Sequence, residues 1–314
     1  MTHSYSTSPA LADDIVVPGS VANLGGGFDT LGVAVELFLR ARIVDVQYDH
    51  AARLSVRQST PPVSGENAVE RAFNLLARKM GTPTPSVVVD VHSDIPMAAG
   101  LGSSAAATVA GLRIFERVAG AVPDDVLLSV AAGAEGHADN AAPALFGGLT
   151  SVLETTSGFK AFRWSWPDGL RLVVATPSVG LATAKARAAL PDAVARRDAI
   201  FNLQRVVALV HALQSGSDAD LREAVQDRWH QPARAALVPL LGEVLSLTDP
   251  EVLGSFLSGA GPSVAVLARR DFARIEAMLA AMYARAGCEV SIRTLAVHHS
   301  PQPAGAGSGH GRTV

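Results

Sequence analysis

The residues from Pro96 to Ala107, PMAAGLGSSAAA, have the types and spacing needed to bind an anion. Glycine lets the backbone pass close to a ligand, and the first amides of a following helix are unpaired at its positive end. Such a turn binds phosphate when it is open to a ligand. It is otherwise a plain strand–helix corner in which serine caps the helix. Because two glycines, two serines and three alanines cluster here, we favour phosphate binding.

This loop must be positioned by the elements on either side of it. Residues 86–92 alternate in polarity, which predicts a strand, and residues 108–118 repeat apolar side chains at helical spacing. The loop is not a Walker A motif, because no lysine follows Gly102, and it lacks the third glycine of the dinucleotide-binding fingerprint. Residues 33–46 predict a pair of strands, and residues 68–77 predict a helix that Asn67 is suited to cap.

A second glycine-rich loop contains Asn23 and Asp29 and follows a short apolar strand. Asn, Gly and Asp are ordinary turn residues, so the loop could be a wide hairpin connection. The amide and the carboxylate could equally bind a polar substrate. Spacing alone leaves both interpretations open.

Four polar residues lie within six positions after a predicted helix at 124–134: Glu135, His137, Asp139 and Asn140. They could form a solvated helix end and a turn. However, burying such a cluster between apolar residues is costly unless the groups are used. A carboxylate beside triphosphate oxygens could bind Mg²⁺, which takes few protein ligands besides phosphates and water.

Basic residues and a third glycine-rich loop follow in the second half of the chain. Arg187 and Arg234 could be ordinary solvated helix charges. A guanidinium can also donate two parallel hydrogen bonds to a carboxylate. Gly259 and Gly261 interrupt two apolar runs, which is typical of a hairpin.

Composition excludes several classes of protein. The 314 residues allow two modest domains or one large one, and 48% hydrophobic with 18% charged residues is typical of a globular protein with an ample core. A net charge of −3 gives no basic surface for nucleic acid, and no apolar run is long enough to cross a membrane. A single cysteine excludes an intrachain disulfide. The first residues lack the features of a signal peptide, so we expect a cytoplasmic protein.

Taken together, the motifs resemble those of the GHMP kinases, and among these the homoserine kinases, from about residue 15 to residue 297. The first loop matches Pro-x-x-x-Gly-Leu-Gly-Ser-Ser-Ala. The loop at Asn23 matches Ala-Asn-Leu-Gly-x-Gly-Phe-Asp-x-Leu-Gly, with Ser20 and Val21 where the family usually has Thr-Ser. Further matches are His-x-Asp-Asn-x-x-Pro-Ala-x-x-Gly-Gly, Thr-x-x-Ala-Arg-x-x-Leu-Pro and Ser-Gly-x-Gly-Pro-Ser, which begin at His137, Thr183 and Ser258.

The resemblance implies an α+β, two-domain GHMP kinase fold. An N-terminal β-α-β phosphate-binding domain would span residues 14–166 and a C-terminal ferredoxin-like domain residues 167–299, with flexible tails at 1–13 and 300–314. The implied reaction is phosphorylation of the L-homoserine hydroxyl by ATP, a step of threonine biosynthesis. Relatives are often dimers, so a homodimer is an expectation. Another GHMP kinase acting on a carboxylate-bearing alcohol, or a non-catalytic nucleotide-binding relative, are the alternatives.

The same resemblance assigns roles to the nucleotide and metal side of the site. Mg²⁺ would bind Ser104 and Glu135, since no other acid lies between 126 and 134. The implied ATP-binding residues are Asn67, Pro96, Met97, Ala98, Ala99, Gly100, Leu101, Gly102, Ser103, Ser104 and Ala105.

Roles in substrate binding and catalysis follow in the same way. Asp29, Asn140 and Arg187 would be the catalytic residues. An aspartate serves as base in related kinases, but an amide such as Asn140 takes no proton at neutral pH. Asp29, Asp139 or direct transfer to phosphate therefore remain open for the hydroxyl proton. The residues implied to contact homoserine are Asn23, Asp29, His137, Thr183, Arg187, Arg234 and Gly259.

Overall fold

Two β-sheets carry the helices and loops of the chain. The structure, a computed structural model, describes residues 13–49 and 51–300. The tails predicted to be flexible, 1–13 and 300–314, lie outside the described residues except for Asp13 and Ser300.

The first sheet has the strand order β3-β4-β2-β5-β6, and β1 pairs with β2. Strands β3 and β4 are parallel and are joined by a helix, α1 (Ala68–Met80), so they form the expected β-α-β unit, while the other pairs are antiparallel. The strands are β1 (Ile15–Ala22), β2 (Leu31–Gln47), β3 (Leu54–Thr60), β4 (Ser86–Ser93), β5 (Leu149–Thr155) and β6 (Gly158–Trp164).

One prediction for this sheet was wrong. Residues 33–46 do not form a pair of strands but lie within β2, a single strand of 17 residues. No glycine, proline or asparagine interrupts this stretch, and its one ordinary turn residue, Asp45, lies next to its end, where it cannot divide the stretch into two strands. A register irregularity between Ile43 and Asp45 is its only break against β4.

The second sheet confirms the ferredoxin-like half of the expected α+β fold. Its order is β10-β7-β9-β8 and every pair is antiparallel. The strands are β7 (Arg171–Pro177), β8 (Gly254–Leu257), β9 (Val264–Ala268) and β10 (Val290–Leu295). Helices cross over between β7 and β8 and between β9 and β10. The remaining helices are α2 (Ser103–Ala119), α3 (Asp124–Glu135), α4 (Ala141–Phe146), α5 (Thr183–Ala188), α6 (Arg196–Ser215), α7 (Leu221–Ala224), α8 (His230–Arg234), α9 (Leu241–Leu245) and α10 (Phe272–Arg285).

The larger hydrophobic core contains residues of both sheets, while a smaller one lies between the second sheet and α10. Helices α1 and α2 pack against each other through Phe73 and Phe115, whose ring centroids are 5.7 Å apart. The first sheet ends at Trp164 and the second begins at Arg171. A boundary between residues 166 and 167 stays a prediction, because the larger core extends across it. Within the described residues, no helix is both long and apolar enough to cross a membrane.

Candidate active site

The glycine–serine loop between β4 and α2 is held in place by hydrogen bonds that its backbone carbonyl groups accept from other parts of the chain. The carbonyl of Leu101 accepts a hydrogen bond from the Ser20 amide at 3.0 Å, and that of Ala98 accepts one from the Leu181 amide at 3.1 Å. Helix α2 begins at Ser103, directly after the loop, so its first amides have no partner within the helix. The arrangement has the form of an anion-binding helix end.

The two glycines of this loop are required by neighbouring protein atoms. Gly102 has φ +72°, and a Cβ there would lie 2.1 Å from Ser20 Oγ. Gly100 has φ +75°, and a Cβ there would lie 2.3 Å from the Ser258 carbonyl oxygen. Sequence reasoning attributed the glycines to close approach of a ligand. The structure shows in addition that they allow β1 and the loop at Ser258 to approach closely, and the approach of a ligand stays a prediction.

Two adjoining cavities open onto the loop. One, of about 250 Å³, has mainly apolar walls and includes Asn67, Ser103 and Ser104. The side-chain oxygen of Asn67, Oδ1, accepts a hydrogen bond from the Val69 backbone amide at 3.0 Å, so this residue caps α1 and also lines the cavity. The second cavity, of about 140 Å³, is lined by the loop and by Glu135, His137, Asn140, Thr183, Gly259 and Ala260.

Asn23 connects the second and third glycine-rich loops. Its amide nitrogen donates to the Gly259 carbonyl at 2.9 Å, and its amide oxygen accepts from the Asp29 backbone amide at 3.0 Å. The residue is 2% exposed. The third loop also reaches the first, because the Ser258 hydroxyl donates to the Gly100 carbonyl at 2.6 Å. Three loops that are far apart in the sequence therefore meet at one place, joined by the side chains of Asn23 and Ser258.

Asp29 and Arg187 form a bidentate ion pair beside these loops. The two Nη atoms of Arg187 donate to the two carboxylate oxygens of Asp29 at 3.0 and 2.8 Å. Thr183, which lines the smaller cavity, lies one helical turn before Arg187 in α5. The Arg187 guanidinium lies 5.8 Å from the centre of the Phe28 ring, which belongs to the second loop.

Arg234 is a buried cation whose hydrogen bonds go to neutral groups. It is 2% exposed. Its guanidinium donates to the carbonyls of Ala186 and Gly259, each at 3.1 Å, and to His230 Nδ1 at 3.3 Å. No described carboxylate forms an ion pair with it, and burial together with the charge of Arg187 lowers its pKa. A buried, charged guanidinium without a counter-ion is suited to bind an anion.

Glu135 faces the first loop, and its carboxylate accepts hydrogen bonds from two hydroxyl groups. Its Oε1 atom accepts hydrogen bonds from Ser104 at 3.0 Å and from Thr108 at 2.7 Å, and Arg71 Nη2 lies 3.8 Å away. Among residues 13–49 and 51–300, no group of three or more His, Cys, Asp or Glu side chains could hold a metal. One carboxylate with hydroxyl oxygens fits Mg²⁺, which prefers oxygen ligands and binds largely through phosphates and water.

His137 and Asn140 line the smaller cavity, and the buried Asp139 lies beside them. His137 Nδ1 lies 2.7 Å from Asp139 Oδ1. Burial alone would lower the pKa of His137, but the hydrogen bond and negative charge of Asp139 outweigh it and raise this pKa. The Asn140 amide oxygen accepts from the Ser20 hydroxyl at 2.9 Å.

Sequence reasoning did not find every residue of this site. It missed the hydroxyls of Ser20 and Thr108 and the buried pair Asp227 and His230. Thr108 could have been found, because it lies one helical turn after Ser104. Ser20 contacts Asn140, 120 positions away, and His230 contacts Gly25, 205 positions away, so no local pattern marks these contacts. Asp227 likewise accepts a hydrogen bond from Asn202, 25 positions away.

Comparison with known proteins agrees with this geometry. Residues 67–148 match the family model "GHMP kinases N terminal domain", and residues 209–285 match "GHMP kinases C terminal". The homoserine kinase of Solibacter usitatus is 39% identical over 264 residues, 82% of this chain and 85% of that protein. The homoserine kinase of Moorella thermoacetica is 36% identical over 283 residues, 89% of this chain and 95% of that protein.

Solved structures give the same picture at the level of the fold. The crystal structure of homoserine kinase from Cytophaga hutchinsonii superposes with a TM-score of 0.81 at 26% identity, covering 94% of this chain and 98% of that one. The mevalonate kinase of Methanococcus jannaschii superposes with a TM-score of 0.67 at 14% identity, covering 93% of this chain and 100% of that one. The second likeness concerns the fold alone.

Proposed function

Because the chain belongs to the homoserine kinases of the GHMP kinase family, we propose that it transfers the γ-phosphate of ATP to the hydroxyl of L-homoserine. The products are ADP and O-phospho-L-homoserine. The observation that carries the proposal is the position of Arg234, a buried guanidinium without a counter-ion that donates to Gly259 in the wall of the phosphate-loop cavity. An anion-binding loop and a carboxylate-binding arginine thus belong to one site.

The nucleotide would occupy the two adjoining cavities. The larger, apolar one offers a surface for the adenine ring beside Asn67. The loop from Pro96 to Ala105 and the N-terminus of α2 would bind the phosphates through unpaired amides and the positive helix end. Ser103 and Ser104 line both cavities, so they mark where the triphosphate passes from one to the other.

Homoserine is a zwitterion, and the opposite charges of Asp29 and Arg187 suit its two ends. Its carboxylate would bind Arg187 and Arg234, and its ammonium group would bind Asp29. The bound substrate thereby takes over the bidentate contact that Arg187 makes with Asp29. Thr183, His137 and Gly259 line the same cavity as the phosphate loop, where the hydroxyl has to reach. Asn23 contributes by holding the loop of Asp29 in place.

The protein's part in the reaction is alignment of the hydroxyl with the phosphate. Phosphoryl transfer depends on positioning and on neutralising charge more than on covalent help. Asn140 would orient the hydroxyl by hydrogen bonding, because its amide takes no proton. Asp29 would be engaged by the substrate's ammonium group and Asp139 is paired with His137, which favours direct passage of the hydroxyl proton to the phosphate.

Magnesium is the cofactor that these residues fit. Glu135 and Ser104 would hold the ion, and Thr108 would hold Glu135 in position. When bound, the ion supplies positive charge that neutralises the transferring phosphate. A role in threonine biosynthesis, a cytoplasmic location and a homodimer are further parts of the proposal.

The test is turnover by the purified chain with ATP and Mg²⁺ and a panel of alcohols. We expect ADP release with L-homoserine and a phosphorylated amino acid identified by mass spectrometry. Turnover of mevalonate or galactose without turnover of homoserine would indicate a different GHMP kinase. ATP binding without ADP release in the presence of homoserine would indicate a non-catalytic relative.

A further inference from the structure

His230 lies between the carboxylate-binding arginine and the substrate loop. Its ring is completely buried. Nε2 lies 2.9 Å from the Gly25 carbonyl oxygen, and Nδ1 lies 3.3 Å from Arg234 Nη1. The ring also stacks on Phe28 of the same loop, with the centroids 5.2 Å apart. One side chain therefore touches both the loop that carries Asp29 and the guanidinium of Arg234.

The chemistry of these two partners fixes the protonation of the ring. A carbonyl oxygen only accepts hydrogen bonds, so Nε2 must carry a hydrogen. A guanidinium only donates, so Nδ1 must carry a lone pair. The ring is therefore neutral and protonated at Nε2. Burial, which lowers the pKa of His230, acts in the same direction.

Asp227 completes the arrangement from the far side of the ring. Its side chain is buried, and Oδ2 lies 3.7 Å from His230 Nε2. The carboxylate accepts hydrogen bonds from the Asn202 side chain at 2.6 Å and from the backbone amides of Trp229 and Gln231 at 3.0 and 2.6 Å. These three donors fix the carboxylate in place. The neutral ring separates this anion from Arg234, so the two do not form a direct ion pair.

We propose that His230 is a positioning residue that holds Arg234 at a fixed place relative to the substrate loop and keeps its charge available for the substrate carboxylate. The proposal rests on the proposed function, because it takes Arg234 as the carboxylate ligand. A direct pair between Asp227 and Arg234 would neutralise the guanidinium that the substrate needs. The imidazole instead accepts a hydrogen bond from Arg234, while Asp227 stays with its own donors.

Two substitutions separate the two contacts of the ring. His230→Gln keeps a donor for the Gly25 carbonyl but loses the acceptor for Arg234. His230→Asn keeps an acceptor near Arg234 but loses the contact with Gly25. Ser255→Ala is the matched control, because it removes a different buried hydrogen bond, from Ser255 to the Val244 carbonyl at 2.9 Å.

The readout is the KM for each substrate, measured with wild-type turnover of homoserine as the reference. We expect His230→Gln to raise the KM for homoserine about tenfold to a hundredfold, the usual effect of losing a hydrogen bond to a charged group. The KM for ATP should not change. In an Arg234→Met background the same substitution should change the KM for homoserine by less than about twofold. His230→Asn should raise it less than His230→Gln, and Ser255→Ala should leave both KM values unchanged.

Two results would overturn the proposal. The first is a parallel change in both KM values, or full additivity with Arg234→Met. The second is an ¹⁵N NMR spectrum of the wild-type protein in which His230 is charged or is protonated at Nδ1. This measurement needs no turnover and no variant, so a variant that fails to fold does not affect it. Absence of homoserine turnover by the wild type would instead reject the proposed function, and the role of His230 with it, even where the Nε2–H form is observed.

Discussion

Replacing Glu135 with glutamine removes one negative charge from the phosphate-loop cavity and preserves the shape of the side chain. An amide oxygen can still accept the hydrogen bonds of Ser104 and Thr108, which are 3.0 and 2.7 Å long. The glutamate side chain is only 7% exposed, so water screens its charge little. We therefore expect the variant to fold and to lose affinity for a cation.

The size of the effect follows from the charge. A unit charge about 4 Å from a cation is worth ~4 kcal/mol at an effective dielectric constant of about 20, roughly a thousandfold in an equilibrium constant. We expect Glu135→Gln to raise the Mg²⁺ concentration for half-maximal binding of a non-hydrolysable ATP analogue by about a hundredfold to a thousandfold. Thr108→Val keeps the charge and loses one hydrogen bond, so its effect should be about tenfold.

The assay is calorimetric titration of the analogue over a series of Mg²⁺ concentrations, with thermal unfolding as the check on the fold. The analogue without Mg²⁺ should bind Glu135→Gln at least as well as wild type, because a negative charge near the phosphates has been removed. An unchanged Mg²⁺ requirement in a folded variant would refute the assignment of Glu135 to the metal.

Two further predictions concern Gly102 in the glycine–serine loop and His137 in the wall of the smaller cavity. Gly102→Ala should abolish nucleotide binding, because its Cβ would lie 2.1 Å from Ser20 Oγ. Gly81 is also at positive φ but has open space around it, so Gly81→Ala should cost only about 1 kcal/mol of stability and leave nucleotide binding intact. Equal nucleotide binding by the two variants would contradict this prediction. The pKa of His137 is higher in the folded protein than in the unfolded chain, because of its contact with Asp139. This contact therefore contributes its full stability at a pH below the pKa of His137 in the unfolded chain, and the contribution is lost as the pH rises through the pKa of His137 in the folded protein. The difference in melting temperature between wild type and His137→Gln should therefore shrink as the pH is raised from about 6 to about 8, and a growing difference would contradict the assignment.

Local patterns predicted the elements that carry this site. The alternating residues before Pro96 and the helical repeat after Ser103 became β4 and α2, and the order of the second sheet followed the family resemblance. The long strand β2 was mistaken for two, because alternation records a strand but not where it ends. Asn67 caps α1 and also lines the larger cavity, so its role as a helix cap does not exclude a role in the site.

Contacts between distant residues could not be predicted in this way. The resemblance predicts that Asn23 contacts the substrate, and the structure adds that both ends of its amide join the loops of Asp29 and Gly259. His230 lay unnoticed beside Arg234 in the sequence, because its importance comes from the carbonyl of Gly25, 205 positions away. Burial and hydrogen-bond partners of this kind arise only when the chain is folded.

The most direct test of the account compares L-homoserine with 3-amino-1-propanol, which has the same hydroxyl and amine but no carboxylate. If Arg187 and Arg234 bind a carboxylate beside the phosphate loop, kcat/KM should favour homoserine at least about a hundredfold, and Arg234→Met should remove most of that preference. Equal kcat/KM for the two alcohols in the wild-type protein would contradict the account.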